Sequence, residues 1–262
     1  MLQTSPTPRP VAIVTGGAGE GIGHGLTEAL IAAEWQIVLT DRKRDRAEAF
    51  IASHPNSDIF AVITDVTADD AAEKTVAAAL TQFGRLDGLV NNVGVGLTKP
   101  AGDVSDEEFL NLFNVDFMAS FRFVRAAIPE LCKTAGAIVN IGSIHAKLGS
   151  KRYAHYAATK AALEAFTRGL AIDYGPQHVR ANIVHPGLVE SPQNEELLGN
   201  LVDDPVAWMT EFAEKRQAIP RLTTPQEVGF LVEFLLGNKS RMITGQSICI
   251  DGGTTTLLWN NE

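Results

Sequence analysis

Short apolar runs of strand length alternate with helical patterns along most of this chain. The runs are VAIVT (11–15), WQIVLT (35–40), IFAVIT (59–64), LDGLVNN (86–92), GAIVNIGS (136–143), VRANIVHPG (179–187) and QSICIDGG (246–253). Continuous apolar strands separated by helices are typical of a parallel sheet, because the crossover helices bury both of its faces. The sequence therefore predicts an α/β fold, a Rossmann-type doubly wound parallel sheet of about seven strands with helices on both faces.

The same pattern predicts a single domain, since no linker or internal repeat interrupts it. Residues 1–10, MLQTSPTPRP, are predicted to form a flexible tail, and residues 11–262 form the domain. Helices are expected near 22–33, 68–83, 105–130, 155–174 and 225–236. The segment near 188–223 is the least regular and is too long for an ordinary connection, so we interpret it as a substrate loop.

Charge and hydropathy exclude several classes of function. The formal net charge is -9, which disfavours binding to a phosphate backbone, so no nucleic-acid partner is expected. No stretch approaches the roughly 18 consecutive apolar residues of a membrane span. The first ten residues lack the apolar run of a secretory signal. These features predict a soluble, cytoplasmic protein with no membrane partner.

A glycine-rich loop follows the first predicted strand. The stretch TGGAGEGIG (15–23) holds five glycines in nine residues and leads into a helical pattern. A helix N-terminus attracts anions, and glycine lets the backbone approach a pyrophosphate closely. The context of strand, loop and helix therefore predicts a dinucleotide site, although tight turns without a ligand use the same residues.

Asp41 ends the second predicted strand, 18 residues after Gly23. A carboxylate at this place can accept hydrogen bonds from the adenosine ribose hydroxyls and repels a 2′-phosphate, which favours NAD over NADP. Two features leave the choice open. Asp41 could instead cap the helix of the segment RKRDRAEAF, and Arg42 and Arg44 could accommodate a phosphate.

The segment YAATK places Tyr156 and Lys160 four residues apart, on one face of a predicted helix. A nearby ammonium stabilises a phenolate and lowers the pKa of the phenol, so Tyr156 could exchange a proton with a substrate hydroxyl. Ser143 lies 13 residues earlier, where a strand ends, and its hydroxyl could bind a substrate carbonyl. Tyr153 is a weaker candidate, because the residue four positions after it is Ala157. On its own, a Tyr and Lys pair at this spacing is usually exposed on the protein surface and has no catalytic role.

These features occur together in an order that resembles the short-chain dehydrogenase/reductase family. The motifs are TGGAGEGIG, NNVG (91–94), Ser143, YAATK, HPG (185–187) and IDGG (250–253). The resemblance covers nearly the whole chain, from about Val11 to Gly253. It implies hydride transfer between a nicotinamide and an alcohol or carbonyl, with NAD as the cofactor that Asp41 favours. It also implies a homotetramer.

The resemblance assigns roles to individual residues. It makes Tyr156 the general acid/base, Lys160 the residue that holds the nicotinamide ribose and lowers the tyrosine's pKa, and Ser143 the residue that orients the substrate. Other positions implied to contact the cofactor are Gly16, Gly17, Gly21, Ile22, Arg42, Asp65, Val66, Asn92, Val93, Gly94, Pro186, Gly187, Leu188 and Ser191.

The chain departs from the family pattern at two places. The glycine loop has four residues, GAGE, where the family has three, and we expect the side chain of Glu20 to point into solvent. The family's catalytic asparagine is expected within NVD (114–116). Counting back from Ser143 and Tyr156 reaches Asp116 rather than Asn114, so we expect an aspartate in the proton relay.

The substrate is interpreted as a small polar alcohol, such as a sugar, a polyol or a hydroxy acid. His145 lies near Ser143 and Tyr156, and Glu190, Gln193 and Asn194 could bind hydroxyl groups. No metal is expected. Two alternatives are an NADPH-dependent 3-oxoacyl reductase and a non-catalytic dinucleotide-binding protein. An apolar cluster near the C-terminus predicts a subunit contact, and its members are Leu257, Leu258 and Trp259.

Overall fold

The structure, a computed structural model, describes residues 8–258 and contains one sheet of parallel strands. The strands follow the order β3-β2-β1-β4-β5-β6-β7 across the sheet. They are β1 (Val11–Thr15), β2 (Gln36–Asp41), β3 (Ile59–Ile63), β4 (Gly88–Asn91), β5 (Ala137–Ile141), β6 (Arg180–Pro186) and β7 (Ser247–Ile250). The predicted doubly wound fold is confirmed, and all seven predicted strands are present. The strand order reverses between β1 and β4, which is where ligands bind in such sheets.

Helices cover both faces of the sheet. They are α1 (Ile22–Ala32), α2 (Arg44–Ser53), α3 (Ala71–Phe83), α4 (Asp106–Phe113), α5 (Ala119–Thr134), α6 (Ala154–Tyr174), α7 (Pro192–Gly199), α8 (Pro205–Arg216) and α9 (Pro225–Leu236). Among the described helices, none combines the length and apolar character that crossing a bilayer requires.

Side chains along β1 point alternately to the two faces of the sheet, and each face carries its own hydrophobic core. Val11 and Ile13 pack with α3 and α5, through residues such as Val76 and Phe123. Val14 points to the opposite face and packs with residues of α1 and α9. Because successive strand residues face opposite sides, an uninterrupted apolar strand buries both faces of the sheet.

The segment 188–223 is more regular than the sequence predicts, because it contains α7 and α8. Each helix begins with a side-chain cap followed by a proline. The Ser191 hydroxyl accepts a hydrogen bond from Asn194 N at 3.2 Å, and the Asp204 carboxylate accepts one from Ala207 N at 3.0 Å. The pairs Ser191–Pro192 and Asp204–Pro205 are ordinary helix-start signals, so these two helices were detectable from the sequence.

The single long helix expected near 105–130 is a composite of three parts. It starts with a capping box between Ser105 and Glu108, passes through a π-helical turn at Asn114–Met118, and continues as α5 to Thr134. A π turn is rare and is often found at functional sites. Here the turn contains Asp116, the residue that sequence counting places in the relay.

The helices α1 and α9 make an unusually close contact. A Cβ atom added at Gly25 would overlap the carbonyl of Pro225, and one added at Gly229 would overlap the carbonyl of Gly25. Glycine is therefore needed at both positions for the two helices to approach this closely. The contact joins the helix that follows the glycine loop to the helix that follows the segment 188–223.

Candidate active site

An open cleft of about 1740 Å³ lies at the carboxyl edge of the sheet, over the ends of β1, β4, β5 and β6. This volume exceeds the range of about 300–1,000 Å³ that is usual for one small ligand. Seventeen of the residues predicted to contact cofactor or substrate line it, namely Gly16, Gly21, Ile22, Arg42, Asn92, Val93, Gly94, Ser143, His145, Tyr156, Lys160, Pro186, Gly187, Leu188, Ser191, Gln193 and Asn194. The other predicted residues, Gly17, Asp41, Asp65, Val66, Asp116 and Glu190, are not part of this lining.

The glycine loop forms one end of the cleft and leads directly into α1. Gly16 has a φ of +64°, which favours glycine, and a Cβ at Gly23 would overlap the carbonyl of Gly16. The extra residue is absorbed by tight turns, in which Gly19 N donates to Gly16 O at 3.1 Å and Gly21 N donates to Gly19 O at 2.8 Å. Glu20 is exposed at the rim. A helix start beside bare backbone is suited to a pyrophosphate.

The Asp41 carboxylate is buried and forms a bidentate pair with Arg46. Arg46 Nε lies 2.9 Å from Oδ2, Arg46 Nη2 lies 2.8 Å from Oδ1, and Lys43 N also donates to Oδ1 at 2.8 Å. Asp41 therefore binds residues at the start of α2, but it does not cap the helix, because the N-cap is Lys43 and no side chain accepts from the first turn. The cleft wall beside it is cationic, since Arg42, Lys43 and Arg46 line it.

Other predicted cofactor contacts have partners within the protein. Asp65 binds the Thr67 hydroxyl at 2.6 Å and lies 3.5 Å from Arg42, and these contacts lower the pKa of its carboxyl. Val66 is buried in the core. Ser191 caps α7 and also faces the glycine loop, because a Cβ on Gly21 would lie 3.2 Å from Ser191 Cβ.

Tyr156, Lys160 and Ser143 come together at the middle of the cleft. Tyr156 and Lys160 lie on α6, and Lys160 Nζ is 5.6 Å from the centre of the Tyr156 ring. Ser143 follows the end of β5, and its hydroxyl lies close enough to the Tyr156 phenol to influence the pKa of that phenol. Because α6 runs beside the sheet edge where β5 ends, residues 13 positions apart share one site.

Asp116 lies behind Lys160 and is completely buried. Its Oδ2 atom is 3.8 Å from Lys160 Nζ and accepts a hydrogen bond from the Thr159 hydroxyl at 3.0 Å, while Oδ1 accepts one from Val95 N at 2.8 Å. Asn114, the other candidate, instead accepts a hydrogen bond from Arg122 Nη1 at 2.9 Å. The structure thus places the aspartate, rather than the asparagine, beside the lysine.

The pKa of Tyr156 is raised above its ordinary value, chiefly because burial disfavours the phenolate. The Lys160 ammonium opposes this shift, and the Asp116 carboxylate adds to it. The Ser143 hydroxyl also lowers the pKa of Tyr156. Lys160 and Asp116 therefore act on the phenol in opposite directions.

His145 and Tyr153 form a wall next to Tyr156. The His145 ring stacks on Tyr153 with centres 4.9 Å apart, and its Nδ1 atom lies 3.1 Å from Ser143 Oγ. Burial lowers the pKa of His145, which favours the neutral imidazole. The Tyr153 hydroxyl accepts a hydrogen bond from Thr98 at 2.9 Å. Both rings line the cleft, so they can contact a substrate.

Sequence reasoning missed two polar partners of the site. Thr159 precedes Lys160 and points at Asp116, and Arg46 lies about one helical turn beyond Asp41. The spacing of Arg46 was visible in the sequence, whereas the contact of Thr159 depends on how α6 packs against the π turn. Within residues 8–258, no group of three or more His, Cys, Asp or Glu residues is arranged to hold a metal ion.

The C-terminal apolar cluster falls at the limit of the described residues. Leu258 is 98% exposed, and Leu257 is partly buried. Trp259 lies outside the described residues.

Comparison with known proteins identifies the family of this chain independently of the site geometry. Residues 17–255 match the family model described as enoyl-(acyl carrier protein) reductase. The chain is 32% identical to L-fucose dehydrogenase of Bos taurus, covering 93% of this chain and 88% of that protein. It is also 32% identical to meso-2,3-butanediol dehydrogenase of Serratia marcescens, covering 94% of each. The crystal structure of gox2181 is similar with a TM-score of 0.87 and 27% identity, over 96% of this chain and 97% of that one.

Proposed function

Because this chain belongs to the short-chain dehydrogenase/reductase family and is an oxidoreductase of CH–OH groups that uses a nicotinamide dinucleotide, we propose that it oxidises a small polar alcohol with NAD. One observation carries the proposal. Tyr156 and Lys160 share a face of α6 next to Ser143, in a cleft that also contains the glycine loop.

The protein residues have distinct tasks in this reaction. The Ser143 hydroxyl hydrogen-bonds with the substrate oxygen, and the Tyr156 phenolate accepts the hydroxyl proton as general base. The Lys160 ammonium stabilises the phenolate, and the Asp116 carboxylate lies 3.8 Å behind that ammonium. The nicotinamide supplies the acceptor for the hydride that leaves the alcohol carbon. In the reverse direction the Tyr156 phenol donates the proton to the carbonyl.

The residues of the cleft fit a dinucleotide. The glycine loop leaves no room for a side chain at Gly23. It leads into the first turn of α1, where the His24 N–H is bound to Gly19 O at 2.9 Å and the N–H groups of Ile22 and Gly23 lack acceptors within the helix. Lys160 Nζ lies beside Gly94, where an added Cβ would be 2.7 Å away. An ammonium at this place can bind ribose hydroxyls.

NAD is the proposed cofactor because Asp41 carries a negative charge at the end of β2. The carboxylate disfavours a 2′-phosphate, and it can bind ribose hydroxyls once Arg46 turns toward solvent. A small polar alcohol is the proposed substrate because His145, Gln193 and Asn194 supply hydrogen-bonding groups to the cleft. The names of the relatives, which refer to a sugar and a diol, agree with this class.

An NADPH-dependent 3-oxoacyl reductase is the second candidate. It is favoured by the three cations at the cleft wall, Arg42, Lys43 and Arg46, which could bind a 2′-phosphate. Apolar residues of the segment 188–223, including Leu197, Leu201 and Trp208, also line the cleft and could contact an acyl chain.

A single screen separates the candidates. The absorbance of the reduced nicotinamide is followed with NAD and NADP across sugars, polyols and hydroxy acids, and with NADH and NADPH on a 3-oxoacyl thioester. We expect turnover with NAD and a polar alcohol. Turnover confined to NADPH and the thioester would establish the second candidate. Dinucleotide binding without turnover would instead favour a non-catalytic binding protein.

A further inference from the structure

A buried imidazole lies directly against the backbone of Ser143. His185 is on β6 and is 0% exposed. Its Nδ1 atom is 3.0 Å from the amide nitrogen of Ser143 and 2.7 Å from the carbonyl oxygen of the same residue. One side chain of the neighbouring strand therefore contacts both polar backbone groups of the residue that presents its hydroxyl to Tyr156.

The chain leaves space for this imidazole by having glycine at position 142. A Cβ atom there would overlap His185 Nδ1 and would lie 2.6 Å from Cε1. Gly142 also continues the ladder between the two strands, because its N–H donates to Val184 O at 2.7 Å. The dipeptide Gly142–Ser143 and His185 thus fit together as one unit.

The opposite side of the imidazole faces a carboxylate on the catalytic helix. His185 Nε2 is 3.2 Å from Oε2 of Glu164, which lies on α6 four residues after Lys160. The geometry falls short of a hydrogen bond, so this is an electrostatic contact. The other oxygen of Glu164 contacts Arg168 at 3.0 Å and Lys147, on the segment after Ser143, at 3.4 Å. Glu164 therefore links α6 to both β6 and the Ser143 segment.

Either neutral form of His185 can bind the Ser143 peptide group. Burial lowers its pKa, although the Ser143 backbone and the Glu164 charge oppose that shift, so we treat the ring as neutral. With the proton on Nδ1, the ring donates to Ser143 O at 2.7 Å; with the proton on Nε2, the Nδ1 lone pair accepts from Ser143 N at 3.0 Å, and Nε2–H points toward Glu164. In both forms the ring binds a buried polar backbone group of Ser143.

We propose that His185, oriented by Glu164, is a positioning residue that fixes Ser143 for catalysis; this inference rests on the proposed role of Ser143. An apolar residue would fill the same buried volume without the cost of desolvating an imidazole and a carboxylate. The polar arrangement provides a defined partner for the Ser143 peptide group instead. It sets the direction of the Ser143 Cα–Cβ bond, and hence the distance from Oγ to the Tyr156 phenol and to the substrate oxygen.

The test compares turnover and NAD binding in four variants. His185→Ala removes the hydrogen-bond partner of the Ser143 peptide group, and we expect kcat to fall about 10- to 100-fold, the size that follows from a misplacement of about 1 Å. His185→Asn keeps an amide, which can accept or donate, at the place of Nδ1, so it should recover part of kcat. Glu164→Gln, which keeps the shape at a partly exposed site, should lower kcat less than His185→Ala. The Kd for NAD should stay unchanged in all three.

Arg168→Ala is the matched control, because Arg168 contacts the same carboxylate from the solvent side and should leave kcat unchanged. A wild-type kcat in folded His185→Ala or Glu164→Gln overturns the inference. So does a parallel loss of kcat and NAD binding, because that pattern indicates general loosening of the site. If His185→Ala does not fold, kcat and the Kd for NAD of His185→Asn and Glu164→Gln test the inference by the same criteria.

A double-mutant cycle separates this inference from the proposed function. If His185 acts through Ser143, the double variant Ser143→Ala/His185→Asn will have the kcat of Ser143→Ala alone. If the double variant instead loses kcat by the product of the two single-variant losses, the inference is overturned and the proposed function stays intact. Full activity in Ser143→Ala would overturn the proposed role of Ser143 itself.

Discussion

The Asp116 carboxylate and the Lys160 ammonium form a buried pair, with Oδ2 and Nζ 3.8 Å apart. Lys160 is 3% exposed and Asp116 is 0% exposed, so water screens their interaction little. The Val95 amide and the Thr159 hydroxyl hold the carboxylate in place. Tyr156 therefore lies next to a cation whose charge is partly balanced, which bears directly on the pH at which it can act as a base.

Asp116→Asn is expected to move the pH profile of alcohol oxidation to lower pH. Oxidation needs the phenolate, so the rate rises as pH passes the pKa of Tyr156. The Asp116 charge raises that pKa, and an amide carries no charge, so the pKa falls in the variant. Activity should persist, because the amide oxygen can still accept a hydrogen bond from Val95 N. The measurement is kcat/KM against pH.

Asn114→Ala is the control for this experiment, since the amide of Asn114 is bound to Arg122 rather than to the lysine. We expect its profile to match the wild type. An unshifted profile in Asp116→Asn together with a collapse of activity in Asn114→Ala would assign the relay to Asn114.

Tyr156→Phe is expected to lower turnover by about 10²–10⁴-fold, the usual contribution of a general acid/base. NAD binding should stay close to the wild type, because the phenol acts on the substrate. Tyr153→Phe is the comparison, since it removes only the hydroxyl that Thr98 contacts. We expect a loss of less than about tenfold there. Exchange of the two phenotypes would place the reacting alcohol at Tyr153.

Asp41→Ala is expected to narrow the preference for NAD over NADP by about tenfold or more, since hydrogen bonds to a charged group are worth about 1.5–3 kcal/mol. The change removes the repulsion of a 2′-phosphate and frees Arg46, which Asp41 now holds. The measurement is kcat/KM with each cofactor. Arg44→Ala is the control, because Arg44 pairs with the exposed Glu48. A wild-type enzyme that prefers NADP would leave Asp41 with only its contacts to Lys43 N and Arg46.

We expect a homotetramer in light scattering at micromolar concentration. Leu258 and Ile172 expose large apolar surfaces, at the C-terminal end and on α6 respectively. Association of subunits would remove such apolar side chains from water. Leu258→Glu and Ile172→Glu should shift the mass toward smaller species with little change in thermal stability. A monomeric wild type would contradict the expectation.

The strands were predictable because each one is a local apolar run bounded by turn residues. The helices of 188–223 were not predicted, although Ser191–Pro192 and Asp204–Pro205 mark their starts, because α7 buries no residue and α8 buries only Met209 and Ala213, so neither has a clear apolar period. The proximity of Ser143 and Tyr156 could be predicted from the topology, since the end of β5 and the start of α6 lie at the same edge of the sheet. The ion pair of Asp41 and Arg46 could not be predicted, because a carboxylate at a strand end can turn either toward a ligand or toward the next helix.

The contact of Gly25 with Pro225 and Gly229 fixes the C-terminal end of the segment 188–223, and β6 fixes the other end. Leu188 and Ser191, at the start of the segment, line the cleft. Substitutions and insertions between Pro192 and Thr223 can therefore accumulate under selection while the backbone around the glycine loop stays in place. A lineage with this scaffold can acquire a new alcohol as substrate by altering about 32 consecutive residues, without changing the residues proposed to bind the nucleotide.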